Sequence, residues 1–591
     1  MPQKLAIAIS GTVSLSSYEA GILYEIVEAI AQHNCHPDTL DEQRIEIDVL
    51  TGVAAGAMTS CILAQKLMFE AEALRQPHAN ALCGPWVEEM DLAELLKLRL
   101  PADDSLWSVF SAERVAEIGY TCLLQRYATG QPTPRQRHPA AGTSIRLGFA
   151  VPNLQGHEHT VHLTDFPDIN HPENRSSQLT YTRHNDWITC EISDSDTDDH
   201  LQLWQKLEKA ARSAVLFPLL FTAPQDAPRP LHRSHPKTAS SKSSEAVQPS
   251  PSMPSVCAQD GIFEGDPLKL AKDLVNQIDS QHLEHSDRFY LYIAPSAKQF
   301  ATPFLNDCDA NLGANFGANL DANLKTGSAL VNTLLTQTSQ SWIAISQINE
   351  KIRQFERQAK EFSDILIKSP QLKASFSSIA EDLLDTLYRQ DQSAGQFQIQ
   401  ADQMRLRQQF TEEYERIVYA TDTADISGEA VAESWLRLVQ ALEKIQQLGD
   451  KDVMTVYGIA PDAQLAAEHP FAFGGLLDQS LRDMDYNAGR RTAVRFLTRL
   501  RTLSQHGKSE RQLYLTNFVP GHNLKPPENA SDAKLKWIAP AQRQVIKMRL
   551  LERASQVIDT SEPRFWVRWL LKLSCHLFLS KQLNRLLELE K

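Results

Sequence analysis

The sequence predicts an α/β core on a parallel sheet, followed by a mainly helical region. Three observations predict it. Residues 4–10 (KLAIAIS) and 45–50 (IEIDVL) are short apolar runs that read as buried strands. The stretch between them, SSYEAGILYEIVEAIAQH, repeats its apolar residues with a 3.6-residue period, the mark of a helix. A second helix starts after Gly56. Strand, helix, strand and helix thus follow one another at the spacing of a βαβ unit.

At 591 residues the chain is too long for one small core, and two or three domains are expected. A hydrophobic share of 42% and a charged share of 22% are those of an ordinary globular protein. The net charge of −14 argues against broad binding to nucleic-acid phosphates. Eight cysteines are scattered without a Cys-x-x-Cys pair. That is neither a disulfide framework nor a zinc spacing, and it suits a reducing cytoplasm. The opening MPQKLAIAIS has no small-residue cleavage site after it and reads as a first strand rather than a signal peptide. Nothing approaches 18 uncharged apolar residues, so no membrane span is expected.

The first domain is expected over residues 1–300. Within it, 85–135 looks helical, as an inserted cap, and SIRLGFAVPNL (144–154) returns to strand character. Residues 224–256 are rich in Pro, Ser and Lys and read as a flexible loop, because they hold too little apolar area to order themselves. A degenerate repeat, DANLGANFGANLDANL (309–324), falls in a linker over 301–326 and is too short for a solenoid. A helical domain is expected over 327–450. There Ile345, Ile348, Ile352, Phe355, Ala359, Phe362 and Leu366 alternate in steps of three and four, a short heptad seam. Such a seam either packs inside a helical hairpin or joins copies into a homo-oligomer.

Residues 451–591 form a mainly helical C-terminal region. In its last stretch, 561–591, Ser561 and Pro563 look like a helix start. Phe565, Trp566, Trp569, Leu570, Leu573 and Leu577 then make a broad apolar face flanked by Arg564, Arg568, Lys572 and Lys581. This suits packing against the body of the protein or a seat at a membrane surface.

The chemistry-bearing stretch is DVLTGVAAGAMTS, Asp48 to Ser60. It is laid out as a nucleophile elbow, with Gly52 and Gly56 two residues before and after Ala54. The following helix offers N–H groups and a positive dipole end to developing negative charge. A Gly-containing turn at Ser10 to Glu25 (SGTVSLSSYEAGILYE) directly follows the first strand, where an oxyanion hole of backbone N–H groups would be built. The third segment is AQDGIFEGDPLKLAKDL, Ala258 to Leu274, an Asp-Gly pair leading into a helix. Taken singly, each is also an ordinary turn. His157, His159 and His162 could suggest a metal cluster, but His162 points away from the other two on a strand, and surface histidines are the expectation.

Together the three segments resemble the patatin-like phospholipases. "GTVSLSSYEAGILYE" is similar to a G-G-V-S-L form of that family's oxyanion turn, and "TGVAAGAM" resembles its T-G-x-S-x-G-A-x elbow. "ARSAVLFPLLFTAP" (211–224) resembles the alanine-rich segment before the catalytic aspartate, and "DGIFEGDPL" resembles D-G-G-x-x-x-N-x-P-x. "VPNLQG" (151–156) and "FAFGGLLDQSLRDMDYNAGRRTA" (471–493) are similar to segments of larger bacterial members. The likeness spans residues 1–300 and the tail, and none of it touches the central helices.

The resemblance implies a patatin-like sheet with a helical cap, and a Ser–Asp dyad that hydrolyses acyl esters of phospholipids or lysophospholipids without metal or organic cofactor. Residue by residue, Ala54 stands at the nucleophile's place and Asp260 at the base's. Gly11, Thr12 and Val13, with Ala55, stand at the oxyanion hole. With the cysteine pattern and the 561–591 helix, the expected setting is the cytoplasm, with a seat at the inner membrane face as one alternative. The departures are Thr12, Val13 and Leu15 in the oxyanion turn, Ile262 for the second glycine after Asp260, and above all Ala54 for serine. A methyl group cannot attack an ester. With Gly52, Gly56, Asp260 and the preceding strand all kept, the alanine reads as a deliberate Ser-to-Ala inactivation. The alternative is a natural pseudoenzyme that binds lipid or acts as an oligomerising scaffold.

Overall fold

A computed structural model of the chain describes residues 2–11, 15–90, 92–95, 111–128, 136–163, 177–193, 200–215, 266–279, 287–294, 339–390, 396–422, 427–446, 448, 454–462, 465–468, 474–505, 512–521, 524, 543–549, 551–552, 555 and 580. Thr12, Val13 and Asp260 lie outside these residues, as do the expected loop 224–256, the linker 301–326 and, Ser580 apart, the segment 561–591.

The first apolar run forms β1, Gln3–Ile9. Leu5, Ala6, Ile7, Ala8 and Ile9 are all buried, so both faces of the strand are covered. That is the pattern of an interior parallel strand, which needs no polar alternation. The second run forms β2, Ile45–Gly52. With β3 (Ala141–Leu163), β4 (Ser177–Ser193), β5 (Arg288–Ile293) and β6 (Thr455–Ile459) they make a six-stranded sheet of order β4-β3-β2-β1-β5-β6. Every neighbouring pair is parallel except β3 and β4. The expected α/β core with a parallel sheet is present.

The chain steps outward from β1 to β4, then returns to place β5 on the other side of β1. That reversal lies between β1 and β5. In open α/β sheets, ligand clefts form outside the carboxyl ends of the strands at such a point.

Helix α1, Ser16–Cys35, follows β1, and α2, Ala55–Phe69, follows β2. Every residue of α2 is buried, as befits a helix with no polar face. Helix α3, His200–Val215, packs on α2, and α4, Pro267–Asp279, packs on β1, β2 and β3. The expected cap region holds short helical turns at Gly84–Glu88, Glu113–Gly119 and Tyr120–Leu124. Asp48 falls at a register shift on both sides of β2, and its carboxylate meets Arg288 at 2.8 Å. The aspartate that opens the elbow's segment is thus part of a structural ion pair.

The helical part folds as its own unit, Gln340–Met454. Its helices are α5 (Ser339–Lys368), α6 (Lys373–Gln390), α7 (Gln396–Gln409), α8 (Thr411–Thr421) and α9 (Gly428–Ile445). The heptad seam on α5 is buried within this unit. Ile352, Phe355, Ala359 and Leu366 pack with Phe410, Ile417 and Val431. Trp435 joins them, its Nε1–H donating to the carbonyl of Ala359 at 3.0 Å. The seam therefore serves the chain's own helical packing.

The other unit joins Met1–Ser339 to Thr455–Lys591. The tail expected as a separate region completes the first one instead. Strand β6 covers the edge of β5, which removes an open row of N–H and C=O groups. Helix α10, Gln479–Gln505, lies along α1. Its polar residues are fasteners. Arg490 donates to Glu25 Oε1 at 2.7 Å with both side chains buried. Tyr486 donates its hydroxyl hydrogen to the carbonyl of Pro77 at 2.6 Å and accepts from Asn80. Asp485 accepts the N–H groups of Ala466 and Ala467, and Arg482 donates to the carbonyls of Val87 and Gly475. The Arg-x-x-Asp-Tyr-x-x-Gly-Arg pattern of the tail is thus accounted for by docking. Among the described residues no helix is long and apolar enough to cross a membrane.

Candidate active site

The site begins with β2, which ends at Gly52, and α2, which starts at Ala55. Only Val53 and Ala54 bridge them, so the chain must reverse in two residues. Ala54 takes φ 50° and ψ −127°, the only positive φ outside glycine among the described residues. Strain of this kind costs on the order of 1–3 kcal/mol and persists only where the surroundings impose it. The surroundings here are the glycines. A Cβ on Gly52 would lie 2.2 Å from the carbonyl oxygen of Gly56, and one on Gly56 would lie 2.7 Å from that of Ile9. The turn closes only because both lack a side chain.

The start of α2 has no side-chain cap. Gly56 N–H donates to the Val53 carbonyl and Ala57 N–H to that of Ala54. Ala55, the first helical residue, has no intrahelical acceptor for its own N–H. A reacting group carried on residue 54 would therefore sit beside a helix N-terminus and a backbone N–H, as acyl transfer requires.

The turn after β1 meets this elbow. Val53 N–H donates to the Ile9 carbonyl at 3.2 Å. Gly11 has φ 54°, and a Cβ there would lie 2.1 Å from the Val53 carbonyl oxygen and 2.2 Å from the Gly56 nitrogen. On the other side, Ser10 N–H donates to the Ile293 carbonyl at the end of β5. The ends of β1, β2 and β5 are thus fastened together at the carboxyl edge of the sheet.

Gly11 carries a correction. Its N–H was expected among the oxyanion donors, but it donates to Glu19 Oε1 at 2.8 Å in a buried hydrogen bond. Gly11 therefore shapes the turn and has no N–H to offer a substrate. Glu19 stands in the first turn of α1, fully buried. Burial pushes its carboxyl up to about 8, and the Gly11 hydrogen bond opposes that shift. Glu19 Oε2 has no partner among the described residues. Sequence reasoning passed over Glu19, although a carboxylate on an apolar helix, one turn from a glycine turn, was a signal available in the sequence.

Within the third segment, Asp266 caps α4. Just before Pro267, its Oδ1 accepts the N–H groups of Leu268 (3.0 Å) and Lys269 (3.2 Å). Burial pushes the Asp266 carboxyl up to about 6, against the pull of those two bonds. The start of α4 is tied to the elbow's strand, because Thr51 Oγ1 donates to the Pro267 carbonyl at 2.7 Å. Asp260 precedes Asp266 by six residues.

The structure thus brings together Gly11, Gly52, Ala54, Ala55 and Gly56, while Thr12, Val13 and Asp260 lie outside the described residues. His157, His159 and His162 fall on β3 opposite Arg183, Tyr181 and Gln178. Among the described residues no group of three or more His, Cys, Asp or Glu is placed to hold a metal ion. No model of a known protein family matches the chain, and no curated protein and no solved structure matches it either.

Proposed function

We propose that this chain is a patatin-like lipid acyl hydrolase whose nucleophile position carries alanine. The observation that carries the reading is the backbone of Ala54. A non-glycine residue is held in a strained turn of positive φ between a parallel strand and a buried helix, against the turn that ends the neighbouring strand. That is the arrangement of a nucleophile elbow. The three-segment resemblance to the family adds the chemistry.

In the Ala54→Ser variant, the carboxylate of Asp260 takes the hydroxyl proton as the serine oxygen attacks the carbonyl carbon of a phospholipid or lysophospholipid ester. The Ala55 N–H, and those that follow Gly11 in the chain, hold the oxyanion. The C–O bond to the glycerol side breaks and the alkoxide takes the proton. Water then hydrolyses the acyl-enzyme by the reverse use of Asp260. No step calls for a metal. The tie from Thr51 to Pro267 is in keeping with Asp260 as the base, because it anchors the third segment, seven residues after Asp260, to the strand that leads into the elbow. A cytoplasmic enzyme acting at the inner membrane face is the setting that fits this substrate.

A second reading rests on the alanine itself. A natural pseudoenzyme would keep the lipid seat without the reaction and work as a lipid-binding or scaffolding protein. With the seam of α5 buried inside its own unit, a homo-oligomer would need another surface.

The test is fatty-acid release from mixed phospholipid vesicles by three proteins: this chain, Ala54→Ser, and Ala54→Ser with Asp260→Asn. Release by Ala54→Ser alone supports the dyad. Silence from a folded, vesicle-bound Ala54→Ser favours the pseudoenzyme. Release by the unmodified chain would place the nucleophile elsewhere.

A further inference from the structure

We propose that Glu19 is a positioning residue for acyl transfer: its side chain holds the Gly11 N–H, and so keeps Gly11 seated against Val53 and Gly56, the residues on either side of Ala54 and Ala55 in the elbow. The inference rests on the hydrolase reading above and adds a residue to it.

The argument starts from the cost of the turn. Gly11 is pressed against Val53 and Gly56, where its Cβ would overlap backbone atoms of both. At this contact water cannot reach the Gly11 N–H, and a buried N–H without an acceptor is strongly unfavourable. The acceptor that takes it is Glu19 Oε1, eight residues on, at 2.8 Å. The bond runs from Gly11 to the first turn of α1, so it fixes Gly11 against that helix.

Glu19 is itself well anchored. Helix α1 is buried along nearly its whole length, and α10 grips it through Arg490 and Glu25. A residue on a fixed helix that holds a turn by one short hydrogen bond acts as a brace. Direct chemistry is a poor fit, because Glu19 is fully buried and its proton has no described path to residue 54. Its effect would pass through Gly11 to the elbow that it packs against, where Ala55 at the start of α2 offers its N–H.

A neutral acceptor is enough for this role, which separates it from a charge effect. In glutamine an amide oxygen replaces Oε1 at the same reach. In leucine the volume is similar but no acceptor remains. In aspartate the carboxyl remains but stops one methylene short.

The experiment places Glu19→Gln, Glu19→Leu and Glu19→Asp in the full chain, each with Ala54 and with Ala54→Ser. Two quantities are read. Hydrogen–deuterium exchange of peptides covering residues 8–15 is measured in the Ala54 chains and needs no activity. Hydrolysis of a short-chain phospholipid, resolved into kcat and KM, is measured in the Ala54→Ser chains.

Expected for Glu19→Leu and Glu19→Asp are exchange at residues 8–15 faster by about tenfold or more and a kcat lower by about a hundredfold with KM little changed. Glu19→Gln is expected to stay within about threefold of the parent in both, since one neutral acceptor replaces another. If Glu19→Leu does not fold, Glu19→Asp with Glu19→Gln carries the same contrast. Unchanged exchange in Glu19→Leu or Glu19→Asp overturns the proposal, as does Glu19→Gln as damaged as either. Should Ala54→Ser hydrolyse nothing, the hydrolase reading fails by itself. Exchange then decides alone whether Glu19 holds the turn: acceleration in Glu19→Leu with protection in Glu19→Gln upholds the brace, and equal exchange overturns it.

Discussion

Two turns meet at the carboxyl edge of the sheet, and both bend through positive φ: 54° at Gly11 and 50° at Ala54. One is closed by glycine, the other by a residue with a side chain. The difference is steric. At Gly11 a Cβ would lie 2.1 Å from the Val53 carbonyl oxygen, so the position can hold nothing larger. At residue 54 a Cβ is present, and the strained backbone is kept. A turn that served only to reverse the chain would take glycine at both places, since glycine adopts positive φ without the clash that burdens other residues. Strain kept together with a side chain is what the proposed reacting position calls for.

The sharpest way to break this comparison is Gly11→Ala. The added methyl overlaps two backbone atoms at once, and neither can swing away as a side-chain tip would. The expected outcome is loss of folded protein or a fall in stability of more than about 3 kcal/mol, the range of severe overpacking. The urea midpoint of the sheet-bearing unit measures it. A cost below about 1 kcal/mol would mean that the two turns are not packed as described, and the contrast with Ala54 would collapse.

Much of this edge was legible in the sequence. The runs KLAIAIS and IEIDVL marked their strands within one or two residues, because strands buried on both faces need only apolar continuity. The strand-to-helix turn was legible from its glycines, although small residues also open many buried helices, so the pattern alone did not mark it as an elbow. Long-range partners were not legible. The expectation of a mainly helical tail could not show that α10 docks on α1, or that β6 adds to the sheet beside β5. Periodicity reports that a face is apolar and says nothing of what covers it. The heptad seam of α5 shows the same limit: Ile352 and Phe355 announced a partner, and the partner is the chain's own Phe410 and Trp435. Glu19 escaped notice for a different reason. Its role depends on one hydrogen bond to a backbone N–H, and a backbone N–H has no letter in the sequence.

The brace beneath the glycine turn gives the second prediction, in the pH dependence of stability. The Glu19 carboxyl titrates near 4.5 in a solvated chain and is pushed up to about 8 by burial in the folded one. Between those values the folded state holds a proton that the unfolded state has released. Stability from this group is therefore fully present below about pH 4.5 and is lost as pH rises toward 8. Glu19→Gln has no proton to lose. Its stability relative to the parent should rise steadily from pH 5 to pH 8, by at most about 1.4 kcal/mol per unit. Taking the difference between the two proteins cancels the other titrating groups, among them Asp266, which burial pushes up to about 6, and His138, which burial pushes down to about 4. A flat difference would show that Glu19 is not buried as a neutral acid, and the glycine turn would lose its distinctive support.

The smallest effect bears most directly on why the two turns differ. Ala54→Gly should stabilise the chain by about 1 kcal/mol: it relieves a strain of roughly 1–3 kcal/mol and gives part of that back through the greater freedom of glycine in the unfolded chain. Ala54→Ser keeps a Cβ in the same backbone and should leave stability within about 0.5 kcal/mol of the parent, as expected when no cavity, clash or cap is changed. The pair separates two costs that one variant would confound. A gain with glycine, joined to no change with serine, means that the strain belongs to the turn and is borne for any side chain placed there. Vesicle hydrolysis that then appears with serine owes nothing to a change in folding. A loss with glycine would mean instead that the Ala54 methyl packs productively, and the elbow would be better read as a buried helix start.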